Sequence, residues 1–213
     1  MTSAQLQIQS AQCQRAGELL FAPVSWTMDA GQLAVIAGPN GSGKTTLLQA
    51  LSGLSLLASG SRIYQGSSEL SLWLKESHYL GHKLGNKGNL SCFENLQFVA
   101  QVNETSVTSS AISAVLEKAG LAGYEYQHAN DLSAGQKKRL ALSRLLLLNK
   151  IYWLLDEPFV NLDYAGCDWL YEIIEKHISQ GGSVILTAHD QKKIHELAHH
   201  HITLEFPEEV HES

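Results

Sequence analysis

Residues 38–45, GPNGSGKT, have the G-x-x-x-x-G-K-[ST] spacing of a phosphate-binding loop. Its three glycines let backbone N–H groups turn inward towards an anion, and the N-terminus of the next helix adds the positive end of a dipole. Lys44 can reach the β- and γ-phosphates, and the Thr45 hydroxyl can ligate Mg²⁺. The pattern predicts a nucleoside triphosphate site made of Gly38, Pro39, Asn40, Gly41, Ser42, Gly43, Lys44, Thr45 and Thr46.

An acidic pair, Asp156 and Glu157, follows the apolar stretch 151–155. A carboxylate at the end of a buried strand suits Mg²⁺ held mainly through water, which is the role expected of Asp156. Glu157 could polarise an attacking water as a general base. Acidic pairs also occur at strand ends without any function, but the upstream phosphate loop favours the catalytic interpretation.

Alternating apolar segments must position these residues. Strands are expected at 32–37, 151–155 and 183–187, with helices at 45–51 and 167–179, so the core should be a mostly parallel α/β sheet. Residues 6–24 should add one or two edge strands. Helical spacing from Ser91 to about Tyr126 predicts a helical insert at about 88–145. We therefore expect one domain over residues 1–213.

Composition excludes several classes of protein. The formal charge of −6 argues against a nucleic-acid-binding face, which needs clustered Lys and Arg. No segment approaches the roughly 18–20 apolar residues of a membrane span. The first residues, MTSAQ, lack the charged and apolar regions of a signal peptide. These features favour a soluble chain in the cytosol.

Cysteine and histidine patterns give no clear metal site. Cys13, Cys92 and Cys167 are scattered and read as ordinary thiols, not as a disulfide or zinc framework. The run 199–201, HHH, precedes a strand-like segment. A metal site is one interpretation, but a solvated helix end is favoured because adjacent residues cannot all face one ion.

The segment 132–136, LSAGQ, resembles the L-S-G-G-Q signature of ATP-binding cassette (ABC) proteins, with Ala134 in place of the first glycine. It lies about 20 residues before Asp156, as in that family. Ser133 and the helix N-terminus would supply donors and dipole to a phosphate. The same segment is a serine-capped amphipathic helix running to about Leu148, with residues 137–139 expected on its solvated side.

This resemblance implies a P-loop NTPase fold of ABC type, with an N-terminal antiparallel β portion and a helical signature subdomain. It implies a head-to-tail dimer, in which ATP on one phosphate loop is closed by Ser133, Gly135 and Gln136 of the other subunit. His189 matches the switch histidine that holds the γ-phosphate and the attacking water. Residues 161–163, NLD, replace the S-A-L-D loop that contacts the partner subunit; Asp163 matches, and Asn161 departs mildly.

Two positions depart from the ABC pattern. Where a glutamine usually contacts Mg²⁺, the sequence reads Gly81-His82-Lys83, and the ammonium of Lys83 cannot ligate a metal. Either Lys83 contacts phosphate, or coupling to the membrane partner works differently. Where an aromatic side chain usually stacks on adenine stands Arg15, whose planar guanidinium can also stack on a purine.

The segments 79–82 (YLGH), 93–96 (FENL), 132–136 and 156–159 (DEPF) resemble the ATP-binding subunits of cytochrome c maturation haem exporters, the CcmA-type family. That resemblance implies membrane partners of the CcmB and CcmC type and a peripheral location on the cytoplasmic face of the bacterial inner membrane. ATP hydrolysis would serve haem delivery, by releasing a haem-loaded chaperone. Direct haem binding by His78 and His82 is not expected, because no apolar haem pocket can be inferred.

Two alternatives stay open at this stage. One is the ATPase subunit of another small ABC exporter, for lipoprotein or peptide, which would be distinguished by its membrane partner. The other is a soluble ABC ATPase that acts on nucleic acid or ribosomes. Such proteins usually carry tandem cassettes, coiled coils or basic surfaces, none of which the sequence shows.

Overall fold

A computed structural model describes residues 5–188 and 191–207. Its strands are β1 (Leu6–Gln12), β2 (Gln14–Arg15), β3 (Glu18–Leu19), β4 (Val24–Met28), β5 (Leu33–Ala37), β6 (Ser59–Tyr64), β7 (Ser77–Leu80), β8 (Tyr152–Asp156), β9 (Ser183–Thr187) and β10 (His200–Thr203). Its α-helices are α1 (Lys44–Leu51), α2 (Leu70–Glu76), α3 (Cys92–Val102), α4 (Ser109–Lys118), α5 (Ala134–Leu147), α6 (Tyr164–Ser179) and α7 (Lys192–Leu197).

The chain forms two compact units. The first contains the described residues within 1–81, 151–157 and 174–213, and the second contains 82–150 and 158–173. The first unit therefore holds all the strands, and the second holds α3, α4 and α5.

A parallel five-stranded sheet, in the order β10-β5-β9-β8-β7, forms the core of the first unit. Strands β8 and β9 are buried at every position, and β5 at all but its last. Such strands are covered on both faces, which is why they read as continuous apolar runs. The parallel α/β core predicted from the sequence is confirmed.

A second, antiparallel sheet has the order β4-β1-β6, so β1 is its central strand and not the edge strand expected from the sequence. The reason is that β6, far along the chain, pairs with the free side of β1. Leu6 and Ile8 alternate with more exposed neighbours and join the core. The two-stranded hairpin β2-β3 follows β1 and carries Arg15.

The second unit is built on three helices with a shared apolar core that includes Leu96, Leu116 and Leu140. Side-chain caps fix where these helices begin. Ser91 and Ser133 each form a capping box with the residue three positions on, and Thr108 caps α4. Each cap satisfies N–H groups that the first helical turn leaves unbonded.

Three further observations concern the sequence predictions. No helix among the described residues combines the length and the apolarity that a bilayer span requires.

Burial raises the pKa of the Cys13 and Cys92 thiols to about 11, which keeps both as unreactive thiols. The histidine run is not a solvated helix end, because α7 ends at Leu197 and His200 and His201 lie in β10.

Candidate functional site

The phosphate loop leads from β5 into α1 and closes on itself. Lys44 Nζ donates to the carbonyl oxygens of Gly38, at 2.8 Å, and Pro39, at 2.9 Å. Ser42 is fully buried, and its hydroxyl has no hydrogen-bond partner among the described residues. The loop thus contains a buried hydroxyl and an ammonium that a polyphosphate could recruit.

Gly43 is the clearest case of a glycine that this loop requires. It occupies the N-cap position of α1 with φ +92°, in the left-handed region, and it supplies no side-chain cap. A Cβ at this position would lie 3.0 Å from the side chains of Leu20 and Phe21. The N–H groups at the start of α1 are consequently left without a side-chain acceptor, as an anion site needs.

Asp156 lies at the end of β8, beside Thr187 of β9 in the parallel register. It is 3% exposed, and each of its oxygens accepts a hydroxyl hydrogen bond. Thr45 Oγ1 donates to Oδ2 at 2.8 Å, and Thr187 Oγ1 donates to Oδ1 at 2.9 Å. Thr187 Oγ1 also accepts from the Glu157 backbone N–H at 2.8 Å. The sheet therefore ties the acidic pair directly to the phosphate loop.

The oxygens at this position fit a magnesium ion. Thr45 and Asp156 are a hydroxyl and a carboxylate already in contact, and Mg²⁺ is a hard cation that prefers oxygen and keeps several waters. With so few protein oxygens, the remaining ligands would come from water and substrate phosphates. The expected roles of Thr45 and Asp156 as metal residues are consistent with this geometry.

Glu157 has φ +46°, a left-handed conformation that a non-glycine residue rarely adopts. Such strained residues persist where the surrounding structure fixes them, and they concentrate at functional sites. Glu157 is half-buried and borders a cleft of about 180 Å³ beside the phosphate loop. The cleft is lined by Arg15, Leu20, Asn40, Gly41, Gly43, Lys44, Thr45, Thr46 and Glu157.

Arg15 lies in the hairpin β2-β3, and Leu20 follows that hairpin directly. Both residues line this cleft. Arg15 is exposed. Leu20 was not predicted as a site residue, because a single leucine carries no motif. Its close approach to Gly43 is the only signal, and that is visible in the structure alone.

Tyr79 of β7 was also missed. Burial, followed by the negative charge of Asp156, raises the pKa of Tyr79 to about 12, while a hydrogen bond with Gln49 acts in the opposite direction. The hydroxyl is therefore protonated at neutral pH and able to donate. A Cβ on Gly81 would lie 2.5 Å from this hydroxyl, so a glycine follows the strand where the tyrosine folds over it.

The signature residues lie in the second unit. Ser133 Oγ accepts from the Gln136 N–H at 3.2 Å, and Gln136 Oε1 accepts from the Ser133 N–H at 2.9 Å. Ser133 is exposed and Gly135 is half-buried. The expectation that residues 137–139 all face solvent was wrong for Lys138, which is 4% exposed and packed inside the unit.

His189 lies outside the described residues. His82 and Lys83 are exposed, and His78 lies in β7. In the described part of the chain, no group of three or more His, Cys, Asp or Glu side chains could hold a metal ion.

Comparisons with known proteins agree with this geometry. Residues 21–160 match the ABC transporter family. The chain is 39% identical over 195 residues to a cytochrome c biogenesis ATP-binding export protein, CcmA, of Histophilus somni, covering 90% of this chain and 89% of that one. It is 40% identical over 189 residues to the Escherichia coli K12 protein of the same name, covering 86% and 88%.

Solved structures share the fold. An ATP-binding subunit of an ABC transporter superposes with a TM-score of 0.85 at 19% identity, over 94% of this chain and 85% of that one. An ABC transporter ATP-binding protein from Pyrococcus furiosus gives a TM-score of 0.83 at 23% identity, over 94% and 97%. The predicted ABC-type fold is confirmed.

Proposed function

Because the chain belongs to the ABC transporter family, among the cytochrome c biogenesis ATP-binding export proteins, we propose that its ATP hydrolysis drives haem delivery to c-type cytochromes. The observation that carries the proposal is the hydrogen-bonded line from Thr45 through Asp156 to Thr187. Thr45 and Glu157 line the phosphate-loop cleft, which supports a site for ATP with its metal ion there.

The loop residues bind the triphosphate. Lys44 Nζ exchanges its bonds to the Gly38 and Pro39 carbonyls for bonds to β- and γ-phosphate oxygens. The Ser42 hydroxyl and the N–H groups at the start of α1 add donors that point at the same anion. The guanidinium of Arg15 stacks on the adenine at the outer side of the cleft.

Thr45 and Asp156 would hold Mg²⁺, Asp156 mainly through water, and the ion would supply positive charge to the phosphate oxygens. Glu157 accepts a proton from the attacking water, whose oxygen bonds to the γ-phosphorus as the bond to ADP breaks. His189 holds the γ-phosphate and orients that water. The left-handed backbone of Glu157 fixes where its carboxylate projects from the strand end.

Hydrolysis requires a second copy of the chain in this proposal. Ser133, Gly135 and Gln136 of one subunit close over the ATP on the other, so ATP favours the closed dimer and hydrolysis opens it. The affinity difference between the two states is the free energy passed to the membrane subunits. Those subunits are integral proteins of the CcmB and CcmC type, and the ATPase lies peripherally on the cytoplasmic face of the inner membrane.

ATP hydrolysis drives the release of a haem-loaded chaperone, and haem does not bind to this chain. The test is haem staining of membrane c-type cytochromes in cells whose only copy carries Lys44→Ala. We expect covalent haem to be lost, while Lys118→Ala, an exposed lysine on α4, leaves it normal. Normal staining with Lys44→Ala would reject the cytochrome assignment, and the membrane protein that co-purifies would then identify the transporter.

A further inference from the structure

An ion pair joins the signature helix to the loop at residues 161–163. Arg139, in the second turn of α5, places Nη2 2.7 Å from Oδ1 of Asp163. The same carboxylate oxygen accepts the Gly166 backbone N–H at 2.8 Å, which caps the start of α6. One carboxylate oxygen is thus engaged twice within its own subunit.

Arg139 is held from both sides. Its side chain is 15% exposed, against 73% for that of Asp163, and Nη1 donates to the Ala119 carbonyl at 3.4 Å. A Cβ on Gly166 would lie 3.0 Å from Nη2 and 2.8 Å from Oδ1 of Asp163. The absence of a side chain at 166 therefore gives the guanidinium its place beside the carboxylate.

The loop backbone meets the signature motif itself. Asn161 adopts φ +67°, and its carbonyl oxygen lies 3.3 Å from the position that a Cβ on Gly135 would occupy. A side chain at 135 would press on this carbonyl. Gly135 consequently serves two purposes: it leaves the signature backbone bare for a phosphate, and it seats the loop.

Charge favours the same arrangement. The hydrogen bond from Arg139, then that from the Gly166 N–H, lowers the pKa of Asp163 below its ordinary value of 3.8. The carboxylate is therefore ionised throughout the neutral range, and the pair persists at every pH at which the protein would work.

We propose that Arg139 is a positioning residue of the ATP-driven dimer: by holding Asp163, it seats the loop at 161–163 against Gly135 and fixes the signature backbone for the ATP of a second copy. This inference rests on the proposed function and concerns its dimer site. The resemblance to ABC proteins predicts that the loop at 161–163 contacts the partner subunit. The Asp163 carboxylate supports that loop through its hydrogen bonds with Arg139 and the Gly166 N–H.

The test uses full-length protein carrying Glu157→Gln, in which hydrolysis is removed and the ATP-bound dimer accumulates. Arg139→Gln in this background should weaken the dimer at saturating ATP about tenfold. Each loop contributes about threefold, as an exposed pair does, and the dimer contains two. The affinity of the phosphate loop for a fluorescent ATP analogue should change by less than about twofold, because the first unit is untouched. Analytical ultracentrifugation and fluorescence titration measure these two quantities.

Three further variants separate positioning from general stability. Asp163→Asn keeps the cap on the Gly166 N–H and loses the charge, so it should weaken the dimer less than Arg139→Gln. The dimer of the double variant should be no weaker than that of Arg139→Gln alone, because both changes break the same ion pair. Arg139→Lys should restore part of the dimer. Lys137→Gln is the control, because Lys137 lies on the same helix and donates to the Asn130 carbonyl instead.

The outcomes distinguish the two proposals. A Glu157→Gln parent that binds no ATP, or that stays monomeric with ATP, rejects the proposed function and with it this inference. If the Glu157→Gln parent dimerises with ATP and the added Arg139→Gln change leaves the dimer affinity the same, only the inference about Arg139 is rejected. Additive effects in the double variant would show that the two residues act independently and would also overturn the inference. An equal loss of dimer affinity in Lys137→Gln would show a general effect on α5 and would overturn it too.

Discussion

The helices α1 and α5 both begin at a predicted phosphate site, and they begin in opposite ways. Helix α1 starts at Gly43, with no side-chain cap from the described residues, and its first residues line the cleft. Helix α5 starts at Ser133, inside a complete capping box with Gln136. The first helix depends on an anion to complete its N-terminus, whereas the second is complete without one.

Burial sharpens this difference. Around α1, Ser42, Lys44 and Asp156 are buried. Lys44 and Asp156 form hydrogen bonds with the loop, and the Ser42 hydroxyl has no partner among the described residues. Around α5, Ser133 is exposed, and the ion pair between Arg139 and Asp163 is partly exposed. Buried polar groups are costly unless they are satisfied, which supports the proposal that the cleft is built to receive a ligand. In the same proposal, the signature is a surface that a second copy uses.

Glu157→Gln should give the largest effect, because it removes the base while leaving the buried binding groups intact. We expect ATP hydrolysis to fall by about 10²–10⁴-fold, the usual contribution of a general base, with ATP still bound. Gel filtration with ATP should then show a stable dimer. Glu172→Gln, at an exposed position of α6, is the matched control. A persistent monomer with bound ATP would contradict the head-to-tail arrangement.

Ser133→Asp separates the cap of α5 from its contact with phosphate. Aspartate caps a helix about as well as serine, so the free energy of unfolding should change by less than about 0.5 kcal/mol. Its negative charge would face the triphosphate of the other subunit, and ATP-driven dimerisation should be lost. Thermal unfolding and gel filtration give the two readings.

Ser133→Ala is the complementary variant. It removes the cap acceptor, which should cost about 1 kcal/mol of stability, and it adds no charge. Some dimerisation should therefore remain. If Ser133→Asp dimerised like the parent, Ser133 would not lie against a phosphate, and the contrast between the two helices would have to be reinterpreted.

The same contrast explains what the sequence could predict. The phosphate loop and Asp156 are local patterns on parallel strands, whose carboxyl ends meet at one edge, so spacing alone was enough to group them. Leu20 reaches the cleft by packing, and sheet order brings Tyr79 close enough to feel the charge of Asp156; neither belongs to a nucleotide-binding motif. The Arg139–Asp163 pair joins residues 24 positions apart, on a helix and a loop that no local rule connects.

The histidine run shows the limit from the other direction. Local reasoning placed residues 199–201 at a solvated helix end. Instead, His199 Nδ1 accepts from the Leu33 backbone N–H at 3.2 Å, and β10 pairs in parallel with β5. The partner strand lies more than 160 residues earlier in the chain. Long-range strand pairing decided the structure of this segment, and polar side chains at a sheet edge do not reveal it.

The smallest expected effect concerns His177, in the first unit, whose ring stacks on Trp153 with 3.7 Å between centroids. Burial lowers the pKa of His177 below its ordinary 6.5, while its hydrogen bond to the Ile151 carbonyl acts in the opposite direction. Because the folded state binds a proton on His177 less readily than the unfolded state does, the stabilisation that the neutral ring contributes is fully present above pH 6.5. It declines as the pH falls below that value.

We therefore expect the free energy of unfolding to fall as the pH is lowered from 7.5 to 5.5, with His177 contributing less than the roughly 1.4 kcal/mol per pH unit that one proton allows. His177→Gln should flatten this slope in part, since His200, whose pKa burial also lowers, contributes to it as well. His128→Gln, at an exposed position of the second unit, should leave the slope in place. Denaturant unfolding at a series of pH values measures it. An unchanged slope in His177→Gln would show that protonation of this buried ring does not oppose folding, and that the pH dependence arises elsewhere in the chain.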